Sequence, residues 1–138
     1  IALSQHDNII GLKEASGDLE QFLSIKKSVD DAFLMLSGDD ANALDPIKLG
    51  GHGIISVIAN LAPKAFSQMI NLGLNGKMDE ADKLNKSLIN VYRLSTAEVN
   101  PTSIKTGLAV KVLISDYMRL PLVEGSKKLH KLFTEELT

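Results

Sequence analysis

The sequence predicts an α/β fold in which parallel strands alternate with helices and then give way to helices alone. Three observations carry this expectation. Short apolar runs at residues 9–12, 33–36 and 53–58 are each followed by small or acidic residues, then by apolar residues at three- and four-residue spacing. Strands separated by helices in this way must run parallel. From Met78 onward the strand-like runs stop. The expected division is therefore residues 1–77, holding about three βα units, and residues 78–138, a helical subdomain.

The elements follow in order. After the first run, Asp18 is placed to cap a helix whose Leu19, Phe22, Ile25 and Val29 share a face. After the second, Gly38, Asp39 and Asp40 open a helix carrying Ala43, Leu44 and Ile47; Pro46 falls early in it, and Gly50 and Gly51 end it. The third run leads to Pro63, then Phe66, Met69, Ile70 and Leu74, closed by Asn75 and Gly76. In the tail, Ala81, Leu84, Leu88, Val91 and Tyr92 predict one long amphipathic helix. Pro101 breaks the chain by disfavouring helix at Asn100. Ile104, Leu108 and Val112 mark another helix, and Leu129, Leu132, Phe133 and Leu137 the last.

Bulk properties narrow the function classes. The 138 residues are 44% apolar, enough for one core. Net charge is -2, and no run of Lys or Arg resembles the footprint of a nucleic-acid or membrane-surface binder, so neither partner is expected. There is no cysteine, which removes disulfides, thiolate metal sites and cysteine nucleophiles and makes the cytoplasm the default location. No apolar run approaches the roughly 20 residues of a membrane span, nor is there a signal-peptide pattern. The start at Ile1 rather than Met raises the expectation of a longer parent chain.

The chemistry centres on Lys13. Alternation along the first strand puts Gly11, Lys13 and Ala15 on one face and Ile10, Leu12 and Glu14 on the other. Spacing alone leaves two readings open. One is a strand-end lysine snorkelling into solvent, the commoner situation. The other is an amine with room beside it, between small neighbours, for a bound ketone; imine chemistry then needs desolvation or a nearby cation to keep the amine unprotonated.

The motifs favour the second reading. The segment Asn8-Ile9-Ile10-Gly11-Leu12-Lys13-Glu14-Ala15-Ser16-Gly17-Asp18 resembles the Schiff-base strand of the dihydrodipicolinate synthase and N-acetylneuraminate lyase superfamily, closest to the synthase branch. Leu36-Ser37-Gly38-Asp39-Asp40 resembles the end of the seventh strand of that family, and Gly50-Gly51-His52-Gly53-Ile54-Ile55-Ser56-Val57 the eighth. The three motifs stand in family order, and the resemblance covers essentially the whole chain. It implies the C-terminal part of a (β/α)8 barrel, strands six to eight, followed by the helical subdomain. It also implies that Lys13 condenses with pyruvate to an enamine that attacks aspartate semialdehyde, giving 4-hydroxy-tetrahydrodipicolinate on the route to lysine. Gly38 and Ile55 would line the same pocket, largely through backbone groups. No cofactor or metal is implied, and a homo-oligomer is.

Other residues have plainer readings. Asp39 and Asp40 suit capping better than acid/base chemistry, because adjacent side chains point apart. His6, His52 and His130 lack metal-ligand spacing, and His52, between glycines, reads as a loop residue. Asn100 and Pro101 resemble an element near the family's active-site mouth, though a helix-breaking loop explains them equally. Leu19 and Leu49 would contribute by resemblance to contacts between dimers; core packing is the simpler account. The resemblance puts the threonine pair, the proton-relaying tyrosine and the carboxylate-binding arginine in a half that this sequence lacks. Tyr92 and Tyr117 lie in the tail and do not replace that tyrosine. Two alternatives stand beside the synthase: a sister aldolase cleaving N-acetylneuraminate or a 2-keto-3-deoxy sugar acid, and a non-catalytic half-barrel that pairs its open edges with another copy.

Overall fold

A computed structural model describes residues 1–137; Thr138, the last residue of the expected helical subdomain, lies outside the described residues. A short 3-10 turn at Ala2–Gln5 leads into β1 (Gly11–Glu14), α1 (Leu19–Ser28), β2 (Leu34–Ser37), α2 (Leu44–Lys48), β3 (Gly53–Ile54) and α3 (Pro63–Leu74). The helical remainder comprises α4 (Met78–Ser87), α5 (Ile89–Ser95), α6 (Thr102–Val110) and α7 (Lys127–Leu137). The three strands form one parallel sheet in the order β1-β2-β3, as the strand-helix cadence required. By packing, the chain separates into two compact units, one of Ile1–Ser56 with Ser67–Lys83, the other of Val57–Phe66 with Leu84–Thr138.

In the first unit the register is fixed by which face α1 covers. Lys13 pairs with Leu36 and Leu36 with Gly53, while Leu12 pairs with Met35. Side chains alternate across a strand, so Met35 and Ser37 point to one face, and both are fully buried. Phe22 of α1, Phe33 and Met35 form the core there, flanked by Ile9, Ile25, Val29 and Leu49. Asp18 caps α1 as expected, its Oδ1 accepting from the backbone N–H groups of Glu20 at 2.9 Å and Gln21 at 3.0 Å. Gly50 ends α2 at φ +85, and the N–H of Gly51 donates to the Pro46 carbonyl at 2.8 Å, which completes a Schellman turn. A Cβ on Gly73 of α3 would lie 3.2 Å from Leu44 of α2, so that helix pair packs closely.

Several boundaries differ from expectation. The helix expected from Gly38 begins only at Leu44, because Asp39 folds its own turn: its carboxylate accepts from Ala41 N–H and from the Asn42 amide. The third strand stops at Ile54, and Ile58 turns into a 3-10 segment, Ile58–Asn60. The N–H of Ile55 still reaches the Ser37 carbonyl at 2.9 Å, but Ser37 is the last residue of β2, so the ladder has no further partner. The single long helix of the tail is two, α4 and α5, broken at Leu88. The Ser87 hydroxyl donates back to the Leu84 carbonyl at 2.7 Å, a bond that competes with the helical ladder.

In the second unit, α6 packs on α7 through Gly107: a Cβ there would sit 2.9 Å from the ring of Phe133 and 3.0 Å from Leu61. Phe133, Leu94, Leu61 and Leu129 are fully buried. The buried Ser103 hydroxyl accepts from the Glu98 N–H at 2.8 Å and donates to its carbonyl at 3.1 Å, so its burial leaves no orphaned polar group. Val112, expected on the α6 face, falls beyond the helix with φ +58 and is 89% exposed. Among the described residues no helix is long and apolar enough to cross a membrane, and no group of His, Asp or Glu could hold a metal ion.

Candidate active site

The register places Lys13, Ala15, Leu36, Gly38, Gly53 and Ile55 on one face of the sheet, opposite the helix-covered face of Met35 and Ser37. The three residues singled out in the sequence, Lys13, Gly38 and Ile55, thus come from the carboxyl-terminal ends of three consecutive parallel strands. Gly38 is closed against Lys13: a Cβ there would lie 2.5 Å from Lys13 Cε and 2.6 Å from Ala15 Cβ. Only a glycine lets the lysine stem cross the end of β2. This face is open to solvent; Lys13 is exposed and Ile55 is 50% exposed. Lys13 enters no ion pair among the described residues.

The backbone N–H groups of Gly38 and Ile55 are already committed. The Gly38 N–H donates to the Glu14 carbonyl at 2.6 Å, and the Ile55 N–H to Ser37. Any main-chain contribution of these residues to a pocket falls to their carbonyl oxygens, a narrower role than backbone lining in general.

The residues after Lys13 fix the loop that follows it. Glu14, on the opposite face, accepts from the Ser16 N–H at 2.8 Å and the Gln21 amide at 3.0 Å. Partial burial pushes the Glu14 carboxyl up, but the bonds from Ser16 and Gln21 outweigh that and hold it below its ordinary value. Gly17 takes φ +78, and the Ser16 hydroxyl accepts from the Asp18 N–H at 3.0 Å. In the motif running from Lys13 to Asp18, therefore, every polar residue after the lysine builds the turn into α1. Asp39 is occupied in the same manner, with the Ser37 hydroxyl accepting its N–H at 3.2 Å.

Sequence reasoning missed two participants. Leu36 stands directly beside Lys13 in the pairing, which the run of apolar residues could not reveal without a register. His52 is not an idle loop residue: its ring Nδ1 accepts the Met35 N–H at 3.0 Å. Both tyrosines lie in the second unit. The Tyr92 hydroxyl donates to Asn85 Oδ1 at 2.7 Å, and Tyr117 is 66% exposed in the tail.

The fold is an α/β class with a parallel sheet, in which a lysine at one strand end meets a glycine at the next. Comparison with known proteins makes this specific. The sequence model of the Dihydrodipicolinate synthetase family matches residues 1–138, and the chain belongs to that family. It is 43% identical over 130 residues to the 4-hydroxy-tetrahydrodipicolinate synthase of Saccharophagus degradans, covering 94% of this chain and 45% of that protein. It is 48% identical over 122 residues to the synthase of Buchnera aphidicola subsp. Schizaphis graminum, covering 87% and 41%. Among solved structures, the dihydrodipicolinate synthase of Aquifex aeolicus is 30% identical with a TM-score of 0.92, covering 98% of this chain and 46% of that one. That of Acinetobacter baumannii, complexed with pyruvate, is 31% identical with a TM-score of 0.91, covering 99% and 47%. The chain spans a little under half the length of these relatives.

Proposed function

We propose that this chain carries the Schiff-base-forming part of an enzyme that condenses pyruvate with aspartate semialdehyde to give 4-hydroxy-tetrahydrodipicolinate in lysine biosynthesis. The observation that carries the reading is the meeting of Lys13 with Gly38 at the carboxyl ends of β1 and β2, in a chain of this family. The Lys13 amine adds to the pyruvate ketone and water leaves; loss of a methyl proton gives the enamine, whose carbon attacks the aldehyde. Gly38 and Ile55 border the space the ketone would enter. Relatives named as 4-hydroxy-tetrahydrodipicolinate synthases support this over a sugar-acid aldolase, and a solved relative complexed with pyruvate supports the ketone substrate.

On this reading residues 1–77 supply strands six to eight of a (β/α)8 barrel and residues 78–138 its helical subdomain, so that the chain is the C-terminal part of the enzyme. The open sheet face and the two edges, of β1 and β3, that are unpaired among the described residues support a barrel completed by further strands and working as a homo-oligomer. The lack of cysteine accords with a cytoplasmic setting. The test is borohydride reduction in the presence of pyruvate, followed by peptide mass mapping. The expected result is a reduced pyruvyl adduct on Lys13; labelling of another lysine, with Lys13 unmodified in folded protein, overturns the assignment.

A further inference from the structure

The β2–β3 ladder begins with a rung that the backbone cannot make. In β2 the N–H groups of even-numbered residues face β1: Leu34 donates to the Ile10 carbonyl at 2.9 Å and Gly38 to Glu14 at 2.6 Å. Those of odd-numbered residues therefore face β3. β3 starts only at Gly53, and the chain just before it is the turn that ends α2, with Gly50 at φ +85. No strand residue is in position to accept the Met35 N–H, although Met35 is 0% exposed and an unsatisfied donor there would be costly. The acceptor is the His52 ring, whose Nδ1 lies 3.0 Å from that nitrogen. The His52 backbone N–H in turn donates to the Met35 carbonyl at 2.8 Å, so one residue grips Met35 at both of its backbone groups.

We propose that His52 is a positioning residue: it sets the register of β3 on β2, and through it the placement of Ile55 beside Gly38 and Lys13. This rests on the proposed function for its catalytic consequence, but not for the clamp itself. The next rungs bind the two ends together, since the pairing that aligns Leu36 with Gly53 leads directly to the Ile55 N–H on Ser37. A histidine suits the place because its Nδ1 is held close to the main chain, at the reach of a short acceptor; its neutral form must carry the proton on Nε2. The flanking glycines serve the same turn: a Cβ on Gly51 would lie 2.7 Å from the Pro46 carbonyl and 3.0 Å from Phe22, and Gly53 has φ +152.

The test compares the full chain with its His52→Asn and His52→Leu forms by amide hydrogen exchange at Met35 and Ile55. Asn keeps an acceptor at nearly the Nδ1 position, whereas Leu keeps bulk without one. Loss of one hydrogen bond sets the scale: the leucine form should exchange Met35, and with it Ile55, roughly tenfold faster, while the asparagine form stays within about threefold of the unmodified chain. Equal protection in the leucine form, or an asparagine form as labile as the leucine form, overturns the proposal. Should the leucine form not fold, nitrogen-15 spectroscopy of the unmodified ring at neutral pH decides it: the Nε2–H tautomer is expected, and the Nδ1–H tautomer overturns the clamp. Pyruvate trapping at Lys13 is read separately on the same proteins, so its failure in the unmodified chain counts against the proposed function and not against the ladder.

Discussion

Lys13 and Gly38 share one space: the point where a Gly38 side chain would begin lies 2.5 Å from Lys13 Cε and 3.1 Å from its Cγ. The lysine can reach across the end of β2 only because position 38 is empty of side chain. Gly38→Ala should therefore displace the lysine and also press on the strand that carries it. Overpacking of this kind costs about 1–3 kcal/mol, and the Lys13 stem, being flexible, can swing aside, whereas Ala15 Cβ at 2.6 Å cannot. The expected outcome is a measurable fall in thermal stability together with a loss of pyruvate trapping at Lys13, checked by calorimetry and adduct mass.

Glu14 gives a pH dependence with a definite sign. Its carboxyl is held below the ordinary glutamate value by Ser16 and Gln21, against the opposing effect of partial burial. The folded state thus favours the charged form, and the resulting stability is fully present above the ordinary glutamate value and is lost as pH falls through the depressed one. Glu14→Gln should remove that part of the acid limb of the stability curve while changing stability near neutrality less than Glu14→Ala, since the amide oxygen still accepts from Ser16. Denaturant midpoints measured from pH 3 to 7 check this; an unchanged acid limb in the glutamine form would refute it.

The helical tail depends on Phe133. It is 0% exposed, and its ring meets α6 where Gly107 allows close approach. Phe133→Ala should cost about 3–5 kcal/mol. Gly107→Leu, which forces a side chain into the same contact, should also destabilise. Equilibrium unfolding followed by far-ultraviolet dichroism reports both, and a loss under 1 kcal/mol for the alanine form would mean that the ring is not a core member.

Val112 carries a local cost that can be relieved. A β-branched residue at φ +58, 89% exposed, gains nothing from packing and is disfavoured in the left-handed region by about 1–2 kcal/mol. Val112→Asn should stabilise by roughly 0.5–1 kcal/mol, because asparagine tolerates that conformation. Melting temperature is the check.

The chain by itself should self-associate and lack synthase turnover. The sheet has two edges unpaired among the described residues, and its Lys13 face exposes Leu34 at 37% and Ile55 at 50%. Leu34 and Ile55 are exposed apolar groups of that face that such association would cover. Sedimentation across a wide concentration range should find oligomers, and coupled assays no turnover; a compact monomer at high concentration, or wild-type-like activity, would contradict this.

Much of the architecture could be read from the residues because local chemistry dictates it. Asp18 before an apolar stripe made the α1 cap, Gly50 and Gly51 the end of α2, and strand-helix alternation a parallel sheet. The strand period likewise separated Lys13 from Glu14. What the residues could not settle by themselves were relationships between segments distant in sequence. The break at Leu88 and the exit of Val112 from α6 turn on which backbone groups find competing partners, and helical spacing is blind to that. Leu36 stands beside Lys13 only through register, and His52 became the acceptor for Met35, 17 residues away, only because β3 starts too late to supply one. Side-chain period is local and visible in a single segment; hydrogen-bond completion across a sheet is decided when the strands meet.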